Sequence, residues 1–96
     1  PRFPAVERDM AFLIGSEQAV AAMDVEAAIR DEAGPLLKSL AVFDQFRLPD
    51  GRRSLGWRLT FQADDRTLTD DEVNAIHGRV ARRVATQFNI SLRGTA

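Results

Sequence analysis

The apolar positions of this chain follow two rhythms. From Arg8 to Ile14, Met10, Phe12 and Ile14 alternate with Asp9, Ala11 and Leu13, a period of two that predicts a strand. From Ser54 to Gln62 the pattern is clearer still: Leu55, Trp57, Leu59 and Phe61 alternate with Ser54, Gly56, Arg58, Thr60 and Gln62. Such alternation gives a strand one face for a core and one for solvent or a partner. Elsewhere the spacing is three and four. Val25, Ala28 and Ile29 follow Asp24, and Val73, Ile76, Val80, Val84 and Phe88 follow Thr69. Each set is the buried stripe of an amphipathic helix.

The residues between these runs act as punctuation. Asp24 is a candidate N-cap for a helix reaching about Ala33, and Gly34-Pro35 ends it. Leu36 to Leu48 reads as a second strand, long enough to bend or bulge. Pro49-Asp-Gly-Arg52 is a hairpin turn, because Pro presets φ and Asp-Gly suits positive φ. Thr69-Asp-Asp-Glu72 is a capping box, and its three acids complement the positive end of the helix dipole. Asn89 ends that helix, Ile90 to Arg93 fits a short last strand, and Gly94 to Ala96 reads as a frayed tail. The order β-α-β-β-α-β is the split βαβ of ferredoxin-like folds. The expected class is α+β: a four-stranded antiparallel sheet with two helices on one face, residues 1–96 forming a single domain.

Composition narrows the chemistry. Ninety-six residues, 45% of them hydrophobic, suffice for one modest core. The chain starts at Pro1 rather than Met, as expected of a piece of a longer protein. It has no cysteine, hence no disulfide, thiolate metal site or thiol nucleophile. No apolar run approaches the ~18–20 residues that span a bilayer, and a cytoplasmic location is expected. Net charge is −1, so no global field draws in nucleic acid. The halves differ: residues 1–48 carry 5 basic and 8 acidic side chains, residues 49–96 carry 8 and 6. All the later bases are Arg, whose planar fork suits phosphates and base stacking. A GC-rich genome accounts for that bias more simply.

In this topology the first and third strands are central, and the face away from the helices is open. Its middle is expected to be a floor of small residues, Ala11, Ser54 and Gly56, flanked by Arg58 and Thr60 and able to take a base lying flat. Phe43 joins that face if Leu40 and Val42 point inward; a bulge would instead turn it into the core. An exposed aromatic there would stack on a base. Arg58 reads equally as a solvated cross-strand charge. Arg79, Arg82 and Arg83 recur at three and four on the second helix, giving secondary candidates for phosphate contact, although a solvated helix face explains them more simply.

Other activities find little support. His77 is the sole histidine and lacks partners for a triad or a metal. Asp64, Asp65, Asp70, Asp71 and Glu72 read as capping and loop solvation, with Arg66 placed to pin the loop. Gly15-Ser-Glu-Gln18 lacks the Gly-rich cradle and Arg of an acylphosphatase. A copper chaperone of this fold needs a Cys pair. Classical RNA-recognition motifs carry aromatics where Ala11, Gly56 and Arg58 stand.

Taken in order, Phe3-Pro4, Arg8-Asp9-Met10-Ala11, Val42-Phe43-Asp44, Ser54-Leu55, Arg58 to Gln62, Arg66 to Asp70 and Leu92-Arg93-Gly94 resemble the ferredoxin-fold anticodon-binding domain. The resemblance covers about Phe3 to Gly94. The family often has Tyr where Phe3 and Phe46 stand, and the hairpin Pro49–Arg52 is short for it. In that family the domain ends the β subunit of bacterial phenylalanyl-tRNA synthetase and the single-chain mitochondrial enzyme. The resemblance implies a module that binds the tRNA(Phe) anticodon stem-loop and positions it for aminoacylation by other domains. No catalytic residue, metal or cofactor is then expected in this chain; ATP and Mg²⁺ belong to the parent enzyme. The implied protein partners are the remaining β-subunit domains and the α subunit. The alternatives are a mainly structural docking module within the synthetase, or an amino-acid-binding regulatory domain of the same topology.

Overall fold

Two strands with the strongest alternation, β1 (Val6–Ile14) and β3 (Arg53–Phe61), pair antiparallel at the centre of the sheet. The computed structural model describes residues 2–95. The remaining elements are α1 (Ala22–Ala33), a 3₁₀ turn (Gly34–Leu36), β2 (Leu37–Arg47), α2 (Asp70–Phe88) and β4 (Ser91–Thr95). The sheet is four-stranded in the order β2-β3-β1-β4, antiparallel throughout. The expected α+β ferredoxin-like arrangement holds.

The inward residues of β1 and β3 meet Val25, Ala28 and Ile29 of α1 and Val73, Ile76, Val80 and Val84 of α2 in one core. Trp57 and Phe12 pack edge to face at 6.4 Å between centroids, a favourable geometry for aromatic quadrupoles. Trp57 is fully buried, and its indole N–H donates to Glu26 Oε2 on α1 at 2.9 Å. Burying the ring therefore leaves no donor unpaired.

The helix ends follow local chemistry, with one correction. At α2 the Thr69 hydroxyl accepts from Glu72 N at 3.1 Å and Glu72 Oε1 accepts from Thr69 N at 3.2 Å, completing the capping box. Asn89 closes α2 in the left-handed region, φ 53°. Gly34, φ 76°, closes α1. Asp24, however, is not the N-cap: α1 begins two residues earlier, after Ala21, without a side-chain cap. Asp24 lies within the first turn, where its charge complements the dipole.

Strand limits shift slightly. β1 begins at Val6, and β2 spans Leu37–Arg47, because Leu36 belongs to the 3₁₀ turn. β4 runs through Thr95, so Gly94 and Thr95, expected to fray, pair with Ala11 and Met10. The rest of the expected tail, Ala96, lies outside the described residues.

Candidate nucleic-acid interface

The outer face of the sheet is set by register. Ala11 and Asp44 lie opposite Gly56 on its two sides, Asp9 and Ala41 opposite Arg58, and Phe46 opposite Ser54. Leu40 and Val42 lie opposite Leu59 and Trp57, on the helix side. Between Val42 and Asp44 the β2–β3 register slips, and Phe43 is the extra residue. A bulge of this kind lets two residues face one on the partner strand. A Cβ built on Gly56 would sit 3.0 Å from Phe43 Cε1 and 3.2 Å from Asp44 Cβ. Both residues therefore stand over Gly56, away from the helices. The bulge exists, and it turns Phe43 outward rather than into the core.

This corrects the expectation of a bare floor. Gly56 is buried beneath the Phe43 ring, and Ser54, 0% exposed, lies opposite Phe46 and under the Arg93 guanidinium. What meets solvent is the upper layer: Phe43 at 46% and Phe46 at 37% exposure.

Each ring carries a guanidinium. Arg58 Cζ lies 5.1 Å from the Phe43 centroid, and Arg93 Cζ lies 4.9 Å from that of Phe46. Both distances suit cation–π attraction. The anchors differ. Arg58 makes a two-pronged ion pair with Asp9, Nε and Nη2 donating at 2.9 and 3.0 Å. Those hydrogen bonds hold the Asp9 carboxyl below the usual carboxylate range and raise Arg58 above its ordinary value. Arg93 Nη1 donates to the neutral Ser54 hydroxyl at 3.0 Å. The Phe43 end is thus locally charge-compensated, whereas Arg93 has no carboxylate within 4.0 Å among the described residues.

The remaining expected residues divide. Thr60 is half-buried beside Arg58 on this face, and Ala11 is half-buried at its centre. Arg79 and Arg83 do not form a free cationic face. Arg79 pairs with Glu32 at 3.5 Å, and Arg83 pairs with Asp31 and Glu32, so both tie α2 to α1. Arg82 is exposed, with no carboxylate within 4.0 Å among the described residues. His77 has a structural contact, Nε2 lying 3.1 Å from the Asp9 carbonyl oxygen, which braces β1 against α2. Arg66 pins the acidic loop through Glu72 and Asp65. Among the described residues no three His, Asp or Glu side chains gather as metal ligands. No helix there is long and apolar enough to cross a membrane.

Phe46, Asp44 and Arg93 belong to this face but escaped the sequence reading, whereas Asp9 lies on the outward side its alternation predicts. One signal was present. Phe43 and Phe46 are three apart, and three-apart residues on a regular strand point to opposite faces. Only an intervening bulge lets both stand on one side.

The chain is thus a ferredoxin-like sandwich whose outer sheet face, not used by the core, carries half-exposed phenyl rings under guanidinium groups. Comparison with known proteins gives the family. A model of the ferredoxin-fold anticodon binding domain matches residues 1–93, and the chain belongs to that family. A phenylalanine–tRNA ligase beta subunit of Synechococcus sp. (strain JA-3-3Ab) is 47% identical over 94 residues, 95% of this chain and 11% of that protein. Those of Anaeromyxobacter dehalogenans (strain 2CP-C) and Geobacillus kaustophilus (strain HTA426) are 44% and 43% identical over 97 residues, 98% of this chain and 12% of each. The chain thus spans about a ninth of the length of the relatives it matches.

Proposed function

We propose that this chain is the anticodon-binding module of a phenylalanine–tRNA ligase beta subunit, and that the outer sheet face holds the tRNA(Phe) anticodon loop. The module positions tRNA; aminoacylation, with its ATP and Mg²⁺, belongs to other domains of a cytoplasmic enzyme. The remaining β-subunit domains and the α subunit are its protein partners. The observation that carries the reading is the pair of Arg–Phe stacks on a face that the core does not use. Half-exposed rings beside a cation can stack on bases, and such stacking is worth about 1–3 kcal/mol per base. Phe43, Phe46, Arg58 and Thr60 make the contact, with Ala11 at its floor. Ser54 and Gly56 act from below, by keeping the platform in place.

Amide NMR titration with a phenylalanine-tRNA anticodon stem-loop, against a scrambled loop, tests this. The expected result is shifts at Ala11, Phe43 to Phe46 and Ser54 to Thr60 with the cognate loop only. Arg58→Gln should weaken that binding while the fold persists; Gln is preferred to Glu, which would set a like charge opposite Asp9. Shifts confined to α2 with either RNA would overturn the sheet-face assignment. No shifts at millimolar RNA would leave structural docking as the module's role.

A further inference from the structure

Arg58 and Asp9 lie opposite each other across the β1–β3 ladder, on the outer sheet face. Their ion pair uses both prongs: Arg58 Nε and Nη2 donate to the two Asp9 carboxylate oxygens at 2.9 and 3.0 Å. It differs in place from the pairs of Arg79 and Arg83, which tie one helix to the other, and from those of Arg52 and Arg66, which pin a turn and a loop. Arg58 is paired on the face that carries the exposed rings, its guanidinium carbon 5.1 Å from the Phe43 centroid. The Arg58 side chain is 46% exposed, that of Asp9 only 21%.

The same face carries further negative charge. Glu7 lies opposite Thr60 and Asp44 opposite Gly56, both on the side of Arg58. Arg93 reaches this face from β4. Glu7, Asp9 and Asp44 set against Arg58 and Arg93 leave no positive excess. A surface that gripped RNA by its phosphates would need one, and such a grip ignores sequence. The Nε–Nη2 edge of a guanidinium is a fork that matches two oxygens of a phosphate. At Arg58 that fork is already filled, by the protein's own anion.

We propose that Asp9 is a specificity-determining residue: its carboxylate occupies the Arg58 fork, keeps that guanidinium beside Phe43 and denies it to RNA phosphates. The inference rests on the anticodon-binding reading and adds to it the means by which a wrong loop is refused. While paired, Arg58 offers a base its planar face and Nη1. Released, it becomes a long, freely turning cation that any phosphodiester can capture. A cross-strand pair also adds to sheet stability, so the test reads a quantity that stability does not move.

That quantity is the salt dependence of binding to the cognate anticodon stem-loop and to the scrambled loop. Asp9→Ala removes both acceptors of the fork. For single strands a new phosphate contact adds about 0.7 to the slope of log K against log salt. Asp9→Ala should steepen the cognate slope by about that amount, raise affinity for the scrambled loop and narrow the preference between the two. Asp9→Asn, which leaves one acceptor, should fall between Asp9→Ala and the parent. Adding Arg58→Gln to Asp9→Ala should abolish both gains, because the captured phosphate needs Arg58. Glu7→Gln takes a charge from the same face but leaves the fork filled, and should leave the slope as it is. An unchanged slope and scrambled-loop affinity in Asp9→Ala, or a change that Glu7→Gln reproduces, would overturn the role of Asp9; a parent that still prefers the cognate loop would leave the anticodon reading standing. A parent that binds both loops alike would overturn both.

Discussion

The two sides of β3 are held by different forces. On the inner side, Leu55, Trp57, Leu59 and Phe61 are almost wholly buried and fixed by packing against two helices. On the outer side, Gly56 and Ser54 are equally buried, yet no helix covers them. Phe43, Phe46, Arg58 and Arg93 form a thin lid of their own, open to solvent above. The inner side carries stability, whereas the outer side trades apolar burial for a shaped, partly wet surface. Fractional burial alone does not separate the two roles: Ser54 and Trp57 are both at 0% exposure. What separates them is the cover, a helix layer in one case and side chains able to meet a ligand in the other.

The largest effect should come from breaking the inner side. Trp57→Ala removes the biggest fully buried side chain and strands the Glu26 carboxylate that receives its indole N–H. A loss of about 3–5 kcal/mol is expected from the cavity alone, read as a lowered urea midpoint. Phe43→Ala should cost far less stability, because its ring is nearly half exposed, but should lose about 1–3 kcal/mol of RNA binding. If Phe43→Ala unfolded the chain as readily as Trp57→Ala, the outer ring would be core and the contrast would fail.

A smaller change sharpens the contrast. Gly56→Ala adds only a methyl, yet that carbon falls 3.0 and 3.1 Å from Phe43 ring atoms and 3.2 Å from Asp44 Cβ. The ring can swing away; the Asp44 Cβ, fixed to the backbone of the bulge, cannot. Overpacking of this kind costs about 1–3 kcal/mol. The expected signature is displacement of the Phe43 ring and the Arg58 side chain in NMR, with weaker RNA binding and core resonances little changed. An unmoved Phe43 would mean that Gly56 does not seat the ring.

The same contrast explains what the sequence made legible. Alternation and three-four spacing report burial against helices, so β1, β3, both helices and the capping box could be read directly. The outer face could be read only as parity. Parity predicts the side of Ser54, Gly56 and Arg58 correctly, but says nothing of cover. The bulge at Phe43 is fixed by pairing with β3, not by local residues, and it decides which aromatics stand outside. Arg93 was hidden for a similar reason, since a second slip between Ala11 and Phe12 places it. Arg79 and Arg83 looked free because their partners, Asp31 and Glu32, lie about 50 positions away on α1. The misplaced cap at Asp24 has a local cause. A carboxylate in the first turn helps a helix electrostatically without capping it, and the two roles share one residue type.

The smallest expected effect concerns how the outer side responds to acid. Asp9 is held below the ordinary carboxylate value of 3.8, first by hydrogen bonds from Arg58 and then by its charge. Because the folded-state value is depressed, this pair's contribution is fully present above pH 3.8 and fades as pH falls through the lower folded value. Asp9→Asn keeps the shape but can accept through only one oxygen and carries no charge. The parent should therefore exceed Asp9→Asn in urea midpoint by a small, constant margin from pH 7 to about 5. The margin should close as the pH drops below 4. Asp50 and Glu72 are also depressed, by Arg52 and Arg66, but they titrate alike in both proteins and cancel in the difference. A margin that held steady down to pH 3 would show that the outer lid is kept by packing rather than charge, and would remove the distinction between the two sides of β3.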